Sequence, residues 1–171
     1  ALRELESSKD PLKGLILDLR NNGGGLLNQS LKVTDLFLDE GKILSIKGRN
    51  SKNTKVFNAS ASTEKRTYPL VVLINAGSAS ASEIVAGALQ DYDRATLIGE
   101  KTFGKGSVQL IYELSDDSRL HVTVAKWFTP DGNAIDGTGL QPDIEVLVTE
   151  EDRNEGRDPQ LERAISFLQN G

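Results

Sequence analysis

The sequence has no cysteine and no methionine, and only one histidine and one tryptophan, in 171 residues. Without cysteine there is no thiol nucleophile, no disulfide framework and no cysteine-based zinc site. The redox compartment is left open. A single histidine, His121, leaves any Ser/His/Asp arrangement one candidate base. Without methionine the chain does not open on a native start. Its first residues, Ala1 to Glu6, read as the tail of a helix, so the expectation is a fragment of a longer protein. There is no signal peptide and no transmembrane run. There is also no basic run of five or more residues, and the net charge is −5 with the two signs interspersed. That balance argues against nucleic acid or an acidic membrane surface as the main partner.

What is present suits one soluble domain. Hydrophobic residues make up 37% of the chain and charged residues 26%, enough of each for a buried core and a hydrated surface. The expected domain is a single unit over residues 1–171. Gly14 to Arg20 is an apolar run that predicts a buried strand, stopped by Asn21-Asn22-Gly23-Gly24-Gly25. A helical pattern spans about Asn28 to Leu38, and Ile43 to Ile46 predicts a strand. Arg49 to Arg66 is polar and reads as a surface excursion or loose hairpin. Leu70 to Asn75 predicts a second buried strand. A helix from about Ala81 to Tyr92 follows, with Ile84, Val85, Ala88 and Leu89 on one face. Ala95 to Ile98 predicts a short strand. Ser107 to Glu113 and Leu120 to Phe128 alternate as half-buried strands do. A strand near Ile144 to Val148 and a helix near Gln160 to Leu168 end the chain. Strands and helices alternate early and strands pair locally later, which implies a mixed α/β domain with ligands at the loops after strand ends.

Three loops concentrate the glycine and serine. In the first, Asn21 to Gly25, consecutive glycines after a strand can aim backbone N–H groups at a ligand, as half of an oxyanion hole does. The dinucleotide pattern G-x-G-x-x-G fails here, because Asn28 follows Gly23 and Gly25. The second, Gly77 to Glu83, alternates serine with alanine before a helix. Ser80 and Glu83 match the capping box S-x-x-E, so Ser80 reads as a helix cap. It reads equally as a nucleophile at a helix N-terminus, where free N–H groups favour an oxyanion. Spacing alone does not choose among Ser78, Ser80 and Ser82. The third, Gly99 to Gln109, approaches a phosphate-binding loop at Gly99-x-x-x-x-Gly104-Lys105. Gly106 stands where Ser or Thr is required, and a strand follows where a helix should. Lys105 between glycines remains, either as a solvated turn lysine or as a base.

A serine hydroxyl needs a neighbouring base. His121 lies in an alternating strand, with Leu120, Val122 and Val124 on the opposite face, and nothing around it suggests a triad. A Ser/Lys pair follows the same logic. The lysine must then lose its proton near neutrality, for which Phe103 and the close glycines would supply desolvation. Gln109 would orient the amine.

Four blocks carry a wider pattern: LILDLRNNGGGLL, LVVLINAGSASASEIVAGALQD, IGEKTFGKGSVQ and FTPDGNAIDGTGLQPDIEV. In this order they cover most of Leu15 to Val146, and the chain resembles the carboxyl-terminal processing (tail-specific) proteases. The resemblance implies an α/β fold with a crotonase- or Clp-protease-like superhelical core and mixed sheet. It implies Ser80 as nucleophile, Lys105 as general base and Gln109 as the lysine's support. It implies an oxyanion hole from the N–H of Ala81 and that of Gly24, with Gly25 as the alternative. Asp91 matches an acidic position read as structural support, and Arg20 and Asn22 are expected to hold the glycine loop. No metal or organic cofactor is implied. The implied partners are proteins or peptides with exposed C-termini, and the implied location is periplasmic or otherwise extracytoplasmic, often with a membrane tether. The family's PDZ domain and N-terminal helical part are not in this sequence, which is expected to start at or just after the PDZ domain. The alternative function is a ligand-binding or scaffold relative of the same fold. Such a relative should have lost its serine or lysine, and this chain keeps both.

Overall fold

The computed structural model describes residues 2–8, 12–49, 54–60 and 65–170. In chain order the elements are α1 (Leu2–Glu6), β1 (Leu15–Asp18), α2 (Leu27–Asp35), β2 (Lys42–Gly48), β3 (Thr54–Asn58), β4 (Leu70–Ile74) and α3 (Ala81–Asp91). They continue as β5 (Thr96–Gly99), β6 (Ser107–Glu113), β7 (Arg119–Phe128), β8 (Ile144–Glu145), α4 (Glu150–Glu155) and α5 (Pro159–Asn170).

The strands sort into two four-stranded sheets. One has the order β1-β4-β5-β8 and is parallel throughout; the other has the order β3-β2-β7-β6 and is antiparallel. This is the expected α/β class, with the parallel and antiparallel pairings in separate sheets. β4 explains why its sequence is an unbroken apolar run. Its five residues are all buried, Val72 and Ile74 in the main core and Val71 and Leu73 in a second cluster with Ala164 of α5. A strand covered on both faces has no reason to alternate.

Helix α3 differs from its expected one-sided pattern: every residue from Ala81 to Leu89 is buried. It packs against α2 and reaches both β2 of one sheet and β5 of the other, so no face of its first nine residues is left to solvent. Full burial of Ile84, Val85 and Leu89 contributes about 1.5–3 kcal/mol each.

The β6/β7 hairpin is the opposite correction. Both strands were expected to be half-buried, yet β6 from Gln109 onward and β7 from Arg119 to Val124 are exposed. β7 pairs with β2 only over Ala125 to Phe128, so the rest of the hairpin projects beyond that pairing and its residues are exposed. Within the polar stretch Arg49 to Arg66, Thr54–Asn58 forms β3 and pairs antiparallel with β2; residues 50–53 and 61–64 lie outside the described residues. The strand expected over Ile144 to Val148 is confined to Ile144–Glu145. Helix α4 was not foreseen. Thr149 caps it through Asp152 N–H at 3.1 Å, and Gly156 at φ 68° ends it.

The parallel sheet positions the site. β1, β4 and β5 are adjacent and point the same way, so the loops that leave their C-terminal ends emerge side by side. These are Asn21 to Gly25, Ala76 to Ser80 and Glu100 to Gly106, which overlap the three stretches singled out in the sequence; Ala81 to Glu83 of the second lie in α3 and Ser107 to Gln109 of the third in β6.

Candidate active site

Hydrogen bonds stitch the first loop to the second. Ser78 is fully buried; its hydroxyl donates to Leu19 O at 2.7 Å and accepts from Asn75 N–H at 3.0 Å. Ser82 donates to Asn22 O at 2.9 Å, and Ala79 N–H donates to the same carbonyl at 3.0 Å. The side chains of Asn75 and Asn21 also bond each other, at 3.1 Å. Two of the three serines are thus buried and engaged with loop backbone. Ser80 lies between them, half-buried, with its side chain on a groove.

Ser80 has φ 56° and ψ −114°, a conformation that a residue with a Cβ rarely adopts. A sharp, strained strand-to-helix turn of this kind lifts a serine hydroxyl out of the backbone and into the open. Ala81 follows as the first residue of α3, its N–H at the positive end of the helix. Gly24 packs directly against this turn. A Cβ added there would lie 2.6 Å from Ala79 O and 2.7 Å from Ala81 N, and Gly24 has φ 94°, so only glycine fits. Its N–H donates to Asn22 Oδ1 at 3.0 Å, whereas Gly25 lines the groove beside Ser80.

Glu83 joins the second loop to the third. Its carboxylate is fully buried. Oε2 accepts from Ser80 N–H at 2.8 Å and Lys105 N–H at 2.9 Å; Oε1 accepts from Gly104 N–H at 2.7 Å and Thr102 Oγ1 at 2.6 Å. The capping-box motif identified the local bond to Ser80. The other three bonds come from about twenty residues downstream, and no local pattern signals them. The far side of Lys105 is held as well, its carbonyl accepting from Trp127 Nε1 at 3.1 Å. The glycines around Lys105 are needed for close packing. A Cβ at Gly104 would meet Gly139 N at 2.7 Å, and one at Gly106 would meet Asp136 N at 2.6 Å.

The groove has a volume of about 360 Å³ and brings Ser80, Ala81, Lys105 and Gln109 together. Leu44, Ile84 and Trp127 give it an apolar floor. Among the described residues no hydrogen bond joins the Ser80 hydroxyl to the Lys105 amine. Lys105 is exposed, and Phe103 is 67% exposed. The expected desolvation of the lysine by Phe103 is therefore not found, because the phenyl ring projects into solvent. Gln109 donates to Thr123 Oγ1 at 3.4 Å, across the β6/β7 ladder. His121, paired with Ile111 on the same ladder, lines the groove too, which the strand pattern alone did not indicate. Asp91 lies away from the groove; its carboxylate accepts from Asp131 N–H at 2.7 Å and ties the end of α3 to the Thr129–Gly132 turn.

Arg20 leads into the glycine loop. Its guanidinium bonds Asp18 through Nη2 at 2.7 Å and spans both oxygens of Asp158, through Nη1 at 2.7 Å and Nη2 at 2.8 Å. The hydrogen bonds that Arg20 donates to Asp18 and then to Asp158 raise the arginine's pKa further, and the Arg20 guanidinium in turn holds the Asp158 carboxyl below the usual carboxylate range.

An α/β core that presents a serine on a strained turn at a helix N-terminus, with a lysine and glycine amides around one groove, has the layout of serine-nucleophile hydrolases. The chain belongs to peptidase family S41, whose family model matches residues 1–146. It is 51% identical over 148 residues to a carboxy-terminal-processing protease of Bartonella bacilliformis, covering 85% of this chain and 34% of that protein. It is 46% identical over 144 residues to a probable CtpA-like serine protease of Staphylococcus aureus, covering 83% of this chain and 29% of that one. The chain thus spans about a third of the length of the curated relatives it matches. Among solved structures it is similar to a photosystem II D1 C-terminal processing protease, with a TM-score of 0.71 and 43% identity, over 79% of this chain and 35% of that one. Mature CPAF superposes with a TM-score of 0.83 at 15% identity, over 99% of this chain and 46% of that one, a likeness of fold.

Proposed function

We propose that this chain is the catalytic core of a serine endopeptidase that cleaves proteins near exposed C-termini through a Ser80/Lys105 dyad. The observation that carries the reading is the shared groove. Ser80 reaches it from a strained turn, and Lys105 reaches it from a loop pinned to the same buried carboxylate as Ser80. The names of the similar proteins from Bartonella and photosystem II support C-terminal processing.

In the proposed cycle the neutral Lys105 amine takes the proton from Ser80 Oγ as the oxygen bonds the scissile carbonyl carbon. The carbonyl oxygen becomes an oxyanion facing the N–H of Ala81 and the glycine turn. Gly25 is the better-placed second donor, because it faces the groove while the Gly24 N–H is held by Asn22. Collapse breaks the C–N bond, and the Lys105 ammonium protonates the departing amine. Water then attacks the acyl ester and gives its proton to Lys105, which returns it to Ser80 Oγ as the acid leaves. Lys105 is exposed in the free groove, so a bound peptide is assigned the task of shielding it. The apolar floor suits an apolar side chain beside the scissile bond. Gln109 orients the amine once the substrate is in place, and Asp91 serves as structural support. The protein acts outside the cytoplasm, with any membrane tether lying outside this chain.

A fluorophosphonate probe tests this directly on the full-length protein. The expected result is covalent labelling at Ser80 that is lost in Lys105→Ala. Labelling that maps to another serine, or that survives Lys105→Ala unchanged, overturns the dyad. A protein that takes no label and hydrolyses no peptide favours the ligand-binding or scaffold alternative.

A further inference from the structure

The glycine loop has an anchor outside the region that the family match covers. The match ends at residue 146, and Asp158 and Gln160 lie beyond it, at the start of α5. Arg20 immediately precedes Asn21 to Gly25. Its guanidinium spans both Asp158 oxygens and also donates from Nη1 to Gln160 Oε1 at 3.1 Å. Gln160 is 1% exposed, and both ends of its amide are used. Its Nε2 donates to Val146 O at 2.8 Å and to Glu100 Oε1 at 3.2 Å. Glu100 opens the loop that carries Lys105. One side chain of α5 therefore touches the residue before the glycine loop and the first residue of the lysine loop. Neither Arg20, Asp158 nor Gln160 lines the groove of Ser80; all three line a separate polar cleft.

We propose that Arg20, Asp158 and Gln160 form a positioning clasp through which α5 fixes the glycine loop, and with it the oxyanion site, relative to the lysine loop. The proposal rests on the serine-peptidase reading for its catalytic consequence and on the contacts alone for its structural one. A two-point guanidinium–carboxylate contact constrains orientation as well as distance, which a single bond would not. Buried Gln160 adds the second restraint. The groove itself is untouched, so substrate affinity should be largely indifferent to the clasp while the chemical step is not. Displacing an oxyanion donor by a fraction of an ångström costs rate rather than binding.

The test must separate the clasp from ordinary helix capping, because Asp158 Oδ1 also accepts from Leu161 N–H at 3.0 Å and so caps α5. Asp158→Ser retains a capping hydroxyl but is too short to span the guanidinium. Asp158→Asn retains the cap and one acceptor for Arg20. Arg163→Ala, on the exposed side of α5, is the control. In the full-length protein the expected result for Asp158→Ser is a fall in kcat of about ten- to a hundredfold with KM within about threefold. Fluorophosphonate labelling of Ser80 slows in parallel. Asp158→Asn recovers part of the rate, and Arg163→Ala matches wild type. Amide hydrogen exchange over residues 21–25 reads the clasp without turnover, and it should quicken most in Asp158→Ser, less in Asp158→Asn and not in Arg163→Ala. If exchange and kcat are unchanged, or if KM rises while kcat holds, the clasp is wrong. If wild type takes no label at Ser80, the serine-peptidase reading fails, and the exchange result still decides the clasp.

Discussion

Ser80 and Lys105 donate their main-chain N–H groups to the same oxygen, Oε2 of Glu83, at 2.8 and 2.9 Å. Their two nitrogens can stand no further apart than those two bonds laid end to end, although 25 positions separate the residues in the chain. The main-chain spacing of the proposed nucleophile and base is therefore set by a carboxylate that bonds neither functional side chain.

Glu83 is consequently expected to be intolerant of neutralisation. Its carboxylate takes four donors in a fully buried position. Glu83→Gln turns one acceptor oxygen into an NH₂ facing donors, leaving at least one buried N–H or hydroxyl unsatisfied. The expected cost is about 1–3 kcal/mol of stability, read as a shift in urea midpoint. Labelling of Ser80 should slow at least tenfold even in the folded fraction. A variant that unfolds earlier but labels at the wild-type rate would make Glu83 purely structural.

His121 and Lys105 both line the groove, so each must be tested as the base. His121 lies on the projecting part of the β6/β7 hairpin, away from the Glu83 network. Lys105→Ala is expected to lower kcat by about a thousandfold or more, and His121→Ala by less than about tenfold. The reverse order would replace the Ser/Lys pair with a Ser/His one. Steady-state peptide hydrolysis by the two variants decides between them.

Much of this site was legible in the sequence because its raw material is local. The runs before Asn21, Asn75 and Glu100 are apolar enough to be buried strands, and the breakers after them are loops wherever the strands go. What local pattern cannot give is adjacency. That the three loops leave neighbouring parallel strands follows from the order β1-β4-β5, which no spacing encodes. Glu83 was visible only as a cap because three of its four partners are long-range. Phe103 illustrates the converse error: an apolar residue beside a lysine invites a desolvation argument, yet its ring points outward. The exposed hairpin misled for a related reason. Alternation reports two unlike faces and does not say that either is covered.

The three serines of Gly77 to Glu83 should separate cleanly. Ser78→Ala removes the partner of Asn75 N–H in a fully buried position and one of two donors to Leu19 O, which keeps Asn22 N–H, and is expected to cost about 1–3 kcal/mol. Ser82→Ala frees Asn22 O of one of its two donors and should cost less. Both variants should still label at Ser80 once folded. Ser80→Ala removes the hydroxyl half of the capping box with Glu83 and is expected to cost no more than about 0.5–2 kcal/mol, and it should not label at all.

The glycine loop makes a sharper contrast between neighbours. Gly24→Ala forces a Cβ to within 2.6–2.9 Å of Ala79 O, Ala81 N and Ser80 Cβ at a φ of 94°. It is expected to cost about 1–3 kcal/mol in strain and to push the Ser80 turn out of place. Gly25→Ala meets nothing within 4 Å and should change stability by less than about 0.5 kcal/mol. Thermal melts of the two variants should therefore diverge, although the substitutions are chemically identical and one residue apart. Equal melts would mean that the loop relaxes away from Ser80, and the contact between Gly24 and the Ser80 turn would then not constrain the site.

Acid should loosen the clasp before it unfolds the core. Arg20 holds the Asp158 carboxyl below its usual range, so the unfolded state binds the proton more readily than the folded one. The sign follows from linkage: the pair's contribution is complete above the ordinary aspartate value of about 3.9 and is lost as pH falls through the lowered folded value. Asp158→Asn has no such carboxyl to protonate. Its melting temperature should start lower at neutral pH and fall less steeply below pH 4 than that of wild type. The two curves should converge in acid, when Asp158 is protonated and bonds Arg20 much as an amide does. Curves that stay parallel from pH 7 to pH 3 would mean that Asp158 titrates normally and that its contact with Arg20 does not persist in solution.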